Sequence, residues 1–184
     1  MRCSRCSSLG KERVGDQERD PQKRKAYLRL RERYPRRGKA CVYVDESGFA
    51  PPGTRRYAYA PKGQRVSGLS SGQRRPRTSL LAARIGQPFA VPLLFAGTGH
   101  TSLFTAWLEK ELCPLLYATQ VVGMDTVPFH KSAKTQALIT TTGATVLLLP
   151  PSSPDLNPIG HDFATRKCLR EYNEQDSLDT IVKT

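Results

Sequence analysis

The order of short apolar segments and longer amphipathic segments most constrains how this chain of 184 residues can fold. Strand-like segments come first, and an alternation of helix, strand, helix, strand and helix follows them. Such an order is typical of an α/β domain in which a meander of strands leads into parallel crossover units. The predicted strands are 41–44, 55–60, 78–85, 89–96, 121–124 and 145–149, and the predicted helices are 101–116, 132–142, about 157–170 and a short one from 177.

Basic residues are concentrated near the start of the chain. Residues 1–39 carry 14 Lys and Arg against 5 Asp and Glu, whereas the rest of the chain carries 15 against 11. An apolar seam of Tyr27, Leu30 and Tyr34 predicts a basic helix within this region. We therefore expect a basic, partly disordered N-terminal arm and helix over 1–39, and one folded domain over 40–184.

The formal net charge of +13 indicates a polyanionic partner, with nucleic acid as the first candidate. The five cysteines are odd in number and widely spaced, which argues against a disulfide scaffold and favours a reducing cytoplasm. No apolar run reaches the roughly 18–20 residues of a membrane span, and no apolar stretch follows the basic N-terminus as in a secretory signal. We expect a cytoplasmic, nucleoid-associated protein without a membrane partner.

Two aspartates follow predicted buried strands. Asp45 comes directly after 41–44, and Asp125 comes directly after 121–124. The carboxyl ends of strands are where α/β sheets place their sites, so neighbouring strands would bring these carboxylates together to bind Mg²⁺ or Mn²⁺. A pair of such ions can activate a water and stabilise the leaving oxygen in phosphodiester cleavage. By position alone, however, the simpler interpretation is that each aspartate caps a turn.

Three sequence blocks favour the functional interpretation. They are VYVDESGF at 42–49 with RRYAYAPKGQR at 55–65, MD at 124–125 with FHKS at 129–132, and LLPPSSPDLNPI at 148–159. In this order, the blocks resemble the catalytic domain of DDE transposases of the mariner superfamily, as found in bacterial insertion sequences. The resemblance covers residues 40 to about 172 and extends more weakly to the basic helix before them.

The resemblance implies a ribonuclease-H-like fold, with a mixed five-stranded sheet flanked by helices, and two Mg²⁺ or Mn²⁺ ions. It implies that Asp45 and Asp125 are the first two catalytic, metal-binding carboxylates. The implied reaction is hydrolysis of a DNA strand at a transposon end, followed by attack of the freed 3′-hydroxyl on target DNA. The third carboxylate should follow Asn-Pro-Ile, where this chain has Gly160. Thr126 is a second departure, because the family usually has Asn there.

Gly160 looks like a loss rather than an adaptation. If Asn157 caps the last helix and Pro158 begins it, residue 160 is the third helical position, where a glutamate suits the helix dipole and can close a capping box. Glycine does neither and costs the helix about 1 kcal/mol in propensity. The alternative donors are Asp162, which points to the opposite helical face, and Asp155, which precedes the helix. We therefore expect an impaired enzyme.

A basic cluster surrounds the predicted hairpin and loop at 55–77 and favours contact with DNA phosphates. For a single residue, an ordinary solvated face is the favoured interpretation, but this cluster contains scarcely any acids. His130 and His161 are expected near the active centre, where each could position DNA or a carboxylate, or simply form a structural hydrogen bond. The predicted DNA-binding residues are Arg55, Arg56, Lys62, Arg65, Arg74, Arg75, Arg77, His130 and Lys131.

Other hypotheses remain open besides an active nuclease. In this family helix-turn-helix modules precede the catalytic domain, and residues 1–39 leave no room for them. We therefore expect a split-gene product or a truncated copy, with a separate helix-turn-helix chain and a second copy of this chain as candidate partners. The alternatives are an inactive remnant that only binds DNA, and a general nucleic-acid-binding protein unrelated to transposition. Cleavage under Mn²⁺ separates the active enzyme from the remnant.

Overall fold

The computed structural model describes residues 19–49, 61–63, 77–86, 89–173 and 175–183. One predicted strand and five of the predicted DNA-binding residues lie outside the described residues. These are the strand at 55–60 and the residues Arg55, Arg56, Arg65, Arg74 and Arg75.

The described strands form one mixed sheet. They are β1 (Ala40–Phe49), β2 (Thr78–Ile85), β3 (Phe89–Ala96), β4 (Gln120–Met124) and β5 (Thr145–Leu148). Their order across the sheet is β3-β2-β1-β4-β5. β1, β2 and β3 form an antiparallel meander, whereas β4 pairs parallel to both β1 and β5. The predicted mixed five-stranded sheet is therefore confirmed.

The first strand is longer than the sequence indicates. We predicted that it ends at Val44, but β1 continues through Asp45 to Phe49. The apolar run does end near Val44, yet β2 supplies antiparallel ladder partners along the polar part of β1. The parallel pairing with β4 stops earlier, where Tyr43 lies opposite Gly123. Asp45 therefore lies inside a strand but just beyond the end of the parallel pairing.

Helices cover both faces of the sheet. In the described part of the chain they are α1 (Pro21–Arg36), α2 (Thr101–Trp107), α3 (Ala133–Thr141), α4 (Ile159–Tyr172) and α5 (Leu178–Lys183). The single helix predicted over 101–116 changes its winding, because a π-helical turn (Leu108–Leu112) and a 3₁₀ turn (Cys113–Leu115) follow α2. Among the described residues, no helix combines the length and the apolar character needed to cross a bilayer.

The core has a main cluster on each face of the sheet. On one face, Val44 and Met124 pack with Leu108, and none of the three is exposed. On the other face, Leu80 of β2 packs with Phe163 of α4. Because successive strand residues point to opposite faces, β1, β2 and β3 each contribute to both clusters. β4 and β5 contribute to the first cluster and to a third one that includes residues of α1. This packing fixes α4 against the sheet, and α4 contacts β1 directly.

The N-terminal helix α1 is attached to the domain by an ion pair and a buried tyrosine. Arg24 donates two hydrogen bonds to the Asp155 carboxylate, at 3.0 and 2.8 Å. Tyr27 is 4% exposed and belongs to the third apolar cluster, against which Leu28 also packs. The predicted seam is therefore partly wrong, because Leu30 is 39% exposed. The amphipathic period alone did not distinguish Leu28 from Leu30.

We expect Asp155→Asn to loosen the attachment of α1. The substitution keeps the size of the side chain but removes the charge that binds Arg24 in a bidentate geometry. The free energy of unfolding should fall by about 1 kcal/mol, and amide hydrogen exchange in α1 should accelerate. Urea unfolding and exchange mass spectrometry measure the two effects. The exposed control Asp176→Asn should change neither, and unchanged exchange in α1 of the Asp155 variant would contradict the expectation.

Candidate active site

Asp45 and Asp125 lie beside each other where the parallel pairing of β1 and β4 ends. The last paired residues are Tyr43 and Gly123, and two further residues along each chain lead to Asp45 and Asp125. Both carboxylates line one cavity of about 280 Å³. The structure therefore brings together the two aspartates that the sequence analysis expected on neighbouring strands.

Burial and charge both act on the Asp45 carboxyl. Burial raises the pKa of Asp45 to about 6, and the charge of Asp125 adds to the increase. The backbone N–H of Glu46 donates a hydrogen bond to Asp45 at 2.8 Å and partly opposes the increase in pKa. Two neighbouring carboxylates thus share a half-buried site in which ionisation is costly. A bound cation would relieve this cost.

His130 supports the Asp125 carboxylate. Its ring is 2% exposed and lies 4.5 Å, centroid to centroid, from both Phe104 and Phe129. Nδ1 forms a hydrogen bond with the Asp125 carboxylate, which limits the orientations that this carboxylate can adopt. The ring is buried, and the contact of His130 with DNA stays a prediction. Of the predicted alternatives, the structure shows the contact with a carboxylate.

The loop before α4 forms another part of the cavity wall, and it contains an unexpected polar group. We predicted that the Asn157 side chain caps α4, but α4 begins at Ile159 with Pro158 as its N-cap and without a side-chain cap. The Asn157 carbonyl, not its side chain, accepts the N–H of Gly160 at 3.2 Å. The Asn157 side chain lines the cavity and is 4% exposed. Neither of its polar atoms has a hydrogen-bond partner among the residues that the structure describes.

Gly160 is an exposed residue in the first turn of α4, three positions after Asn157. A Cβ atom at this position would meet no atom within 4 Å in the described part of the chain. The Gly160 N–H donates to the Asn157 carbonyl, so the backbone at 160 is tied to the loop that carries Asn157. The position where the third carboxylate was expected therefore has room for one.

The other acidic residues nearby are engaged elsewhere. Asp162 lies 3.2 Å from the Arg84 guanidinium, and Asp155 is held by α1 as described above. Glu46 accepts the N–H of Gly99 at 3.2 Å. Within the ranges that the structure describes, no group of three or more His, Cys, Asp or Glu side chains could hold a metal ion. Both of the predicted alternative donors thus have arginine partners.

The donors that line the cavity fit a hard divalent cation. Asp45 and Asp125 supply carboxylate oxygens, and Asn157 adds a buried amide without a partner among the described residues. Mg²⁺ and related ions prefer oxygen ligands of this kind and usually retain several waters, for which the cavity has room. Thr126, the residue that departs from the family pattern, also lines this cavity. Asp45 and Asp125 would hold the ion.

The described basic residues of the predicted DNA surface are exposed. They are Lys62, Arg77 and Lys131. Arg77 lies across Gly48 of β1 so closely that a Cβ atom at residue 48 would fall 1.9 Å from the Arg77 guanidinium. Glycine at 48 therefore allows this arginine to pack on the strand that carries Asp45. His161, in the first turn of α4, is also exposed.

Comparison with known proteins adds a family assignment. The family model described as DDE superfamily endonuclease matches residues 40–180. Among curated protein sequences, none matches the chain.

Solved structures of Mos1 transposase share the fold. The Mos1 paired-end complex with the left transposon end matches at 18% identity and a TM-score of 0.67, over 90% of this chain and 54% of that chain. The mariner Mos1 paired end complex with Mg matches at 17% identity and 0.65, over 96% and 61%. The catalytic domain of Mos1 mariner transposase matches at 16% and 0.52, over 93% and 88%. This chain thus spans between about half and three fifths of the transposase chains in those complexes, and the ribonuclease-H-like fold is confirmed.

We expect Asp45→Asn to stabilise the metal-free chain above pH 6. The folded-state pKa of Asp45 is raised to about 6, because the folded chain favours the neutral carboxyl. The stability that the neutral carboxyl contributes is fully present below the unfolded pKa and is lost as pH rises through 6. Asparagine stays neutral, and its oxygen can still accept the Glu46 N–H. The free energy of unfolding in EDTA should rise by about 2 kcal/mol at pH 8 and much less at pH 4.5. Denaturant unfolding at the two pH values measures this difference.

The exposed Asp176→Asn substitution is a suitable control, because it removes one carboxylate outside the cavity. It should leave the free energy of unfolding nearly unchanged at both pH values. An equal gain for the Asp45 variant at pH 4.5 and pH 8 would show that burial of the Asp45 charge is not the cause.

Proposed function

Because the chain belongs to the DDE superfamily endonuclease family, we propose that it is the catalytic domain of a transposase that cleaves and transfers DNA strands with divalent metal ions. The observation that carries this proposal is the pair Asp45 and Asp125, set beside each other in one cavity at the end of a parallel strand pair. The Mos1 complexes with transposon ends and with Mg support DNA as the substrate and a divalent cation as the cofactor.

In the proposed mechanism, the residues of the chain mainly position groups. Asp45 and Asp125 would hold the metal ions, with Asp45 oriented by the Glu46 N–H and Asp125 by His130. Divalent ions held there would supply activation of a nucleophile and stabilisation of the leaving oxygen of a phosphodiester. The substrate bond is a phosphodiester at a transposon end, and the 3′-hydroxyl released by hydrolysis is the nucleophile in the transfer to target DNA.

The basic surface supplies the affinity for DNA. Lys131 follows His130 in sequence, and Arg77 packs on the strand of Asp45, so both cations belong to segments that form the site. Contacts of this kind bind phosphates and position the duplex without reading its sequence. We propose the same contacts with DNA phosphates for the exposed Lys62 and for the other predicted arginines. The net charge of +13 agrees with it.

We further propose that catalysis is impaired by Gly160. A third carboxylate would add a full negative charge to the metal site, and glycine adds no ligand at all. Both of the predicted replacements, Asp162 and Asp155, are paired with arginines. The same observation supports the alternative proposal, an inactive remnant that acts only as a DNA-binding domain.

Partners and location follow from the proposed activity. The proposed partners are DNA and a separate helix-turn-helix chain that would recognise the transposon ends. A homodimer would allow two ends to be processed together. The proposed place of action is the bacterial cytoplasm, in association with the nucleoid.

Nicking of supercoiled plasmid with Mn²⁺ tests the catalytic proposal. We expect the unmodified chain to nick slowly and Gly160→Glu to nick at least tenfold faster, since a side chain at 160 would meet no described atom within 4 Å of its Cβ. In the Gly160→Glu background, Asp45→Ala should abolish nicking. Gly160→Ala is the matched control, because it improves helix propensity without adding a ligand and should not raise the rate.

The outcomes separate the two functions. Nicking by Gly160→Glu alone would indicate an intact site with one lesion. No nicking by either chain, together with binding of DNA, would favour the remnant. Equal nicking by the unmodified chain and Gly160→Glu, abolished by Asp45→Ala, would contradict the proposed impairment.

The affinity for DNA should be weak, without strong sequence preference, and should fall steeply with salt. If about four phosphates are neutralised, the affinity falls roughly a hundredfold between 50 and 200 mM salt. Fluorescence anisotropy with duplexes of unrelated sequence measures this slope. The double substitution of Lys131 and Arg77 by Gln should reduce affinity and slope more than the same change at the exposed α1 residues Arg29 and Arg33. A flat salt dependence would refute the proposed phosphate binding.

A further inference from the structure

We propose that Asn157 supplies an oxygen ligand to the metal in this cavity, in place of the carboxylate that Gly160 lacks. The inference rests on the proposed function, since it assumes that Asp45 and Asp125 hold the metal. It adds a residue that the sequence analysis assigned only to helix capping.

The first argument is the state of the Asn157 amide. Its side chain is 4% exposed, and neither Oδ1 nor Nδ2 has a hydrogen-bond partner among the described residues. Buried polar side chains in native proteins almost always have a partner, because an unpaired buried amide loses its hydration without compensation. The same side chain lines the cavity of Asp45 and Asp125. A ligand in that cavity is therefore the missing partner.

The second argument is that the backbone holds Asn157 in place without using its side chain. Its N–H donates to the carbonyl of Pro154 at 3.0 Å, and its carbonyl accepts from Gly160 at 3.2 Å. The nearby residues Leu156 and Ile159 are buried in the core. The backbone of Asn157 is thus held by the turn before it and by the start of α4, while the side chain remains available to the cavity.

The third argument is chemical. An asparagine carbonyl is a hard, neutral oxygen ligand and is common around divalent cations that prefer oxygen. It would replace the missing carboxylate as a ligand but not as a charge. The predicted alternative ligands, Asp162 and Asp155, are held by Arg84 and Arg24. In the described cavity wall, the Asn157 side chain has polar atoms that still lack a partner.

Binding of Mn²⁺ to the full chain tests the inference without a reaction. Electron paramagnetic resonance of free Mn²⁺ gives the dissociation constant for each variant. We expect Asn157→Asp to bind Mn²⁺ at least tenfold more tightly, because it adds a charge to an existing ligand position. Asn157→Leu, which has similar size and no donor atom, should bind at least tenfold more weakly. The matched control Asn173→Asp makes the same change at an exposed site and should stay within twofold.

Thermal unfolding shows whether each variant is folded and how much Mn²⁺ stabilises it. Asn157→Asp places a third carboxylate in the cavity, so its melting temperature should be lower in EDTA and should rise more with Mn²⁺ than that of the unmodified chain. A smaller Mn²⁺-induced rise than in the unmodified chain would overturn the inference, even if Asn157→Leu fails to fold.

The test separates this inference from the function on which it rests. If Asp45→Asn and Asp125→Asn abolish Mn²⁺ binding but Asn157→Asp binds within twofold of the unmodified chain, Asn157 is not a ligand and the proposed metal site stands. If Asp45→Asn and Asp125→Asn leave binding unchanged, the proposed metal site itself is wrong, and the inference falls with it.

Discussion

The parallel pairing of β1 with β4 is the constraint on which the rest of the site depends. It places Asp45 and Asp125, which are distant in sequence, beside each other in a partly buried cavity. Burial raises the pKa of Asp45, and repulsion by the Asp125 carboxylate adds to the increase. The sheet tolerates it because β1 is held on its other side by β2 and by apolar residues on both faces. The fold thus maintains a local electrostatic strain that a cation would release.

The surroundings of the two aspartates form a linked set of supports. Asp125 is held by His130, whose ring packs against Phe104 and Phe129, so the aromatic core extends to the proposed metal site. On another wall, the loop that carries Asn157 also carries Asp155, which binds α1 through Arg24. The basic N-terminal helix is therefore connected to a wall of the cavity through a short segment of chain.

The sequence predicted the fold better than the detail of the site. The bounds of β2 and β3 agree with the predicted 78–85 and 89–96, because turns clearly separate their apolar runs. The extension of β1 was missed, since a polar stretch becomes a strand only when β2 pairs with it. The position of Asn157 was also missed. The Asn-Pro pattern suits a cap, whereas the folded chain buries Asn157 in the wall of the cavity, which a local sequence pattern does not reveal.

The proposed impairment by Gly160 concerns the charge of the site more than its shape. The backbone of α4 begins at Ile159, and a side chain at 160 would have space, so a carboxylate there would add charge without requiring a different backbone. With two carboxylates instead of three, the carboxylates of the metal-free cavity repel each other less, and the cavity attracts a divalent cation less strongly. Such a site has a lower metal affinity and a more stable metal-free fold. The Asn157 amide places a neutral oxygen on the cavity wall, so it adds no further repulsion between carboxylates, and its own desolvation is the cost that a bound cation would offset.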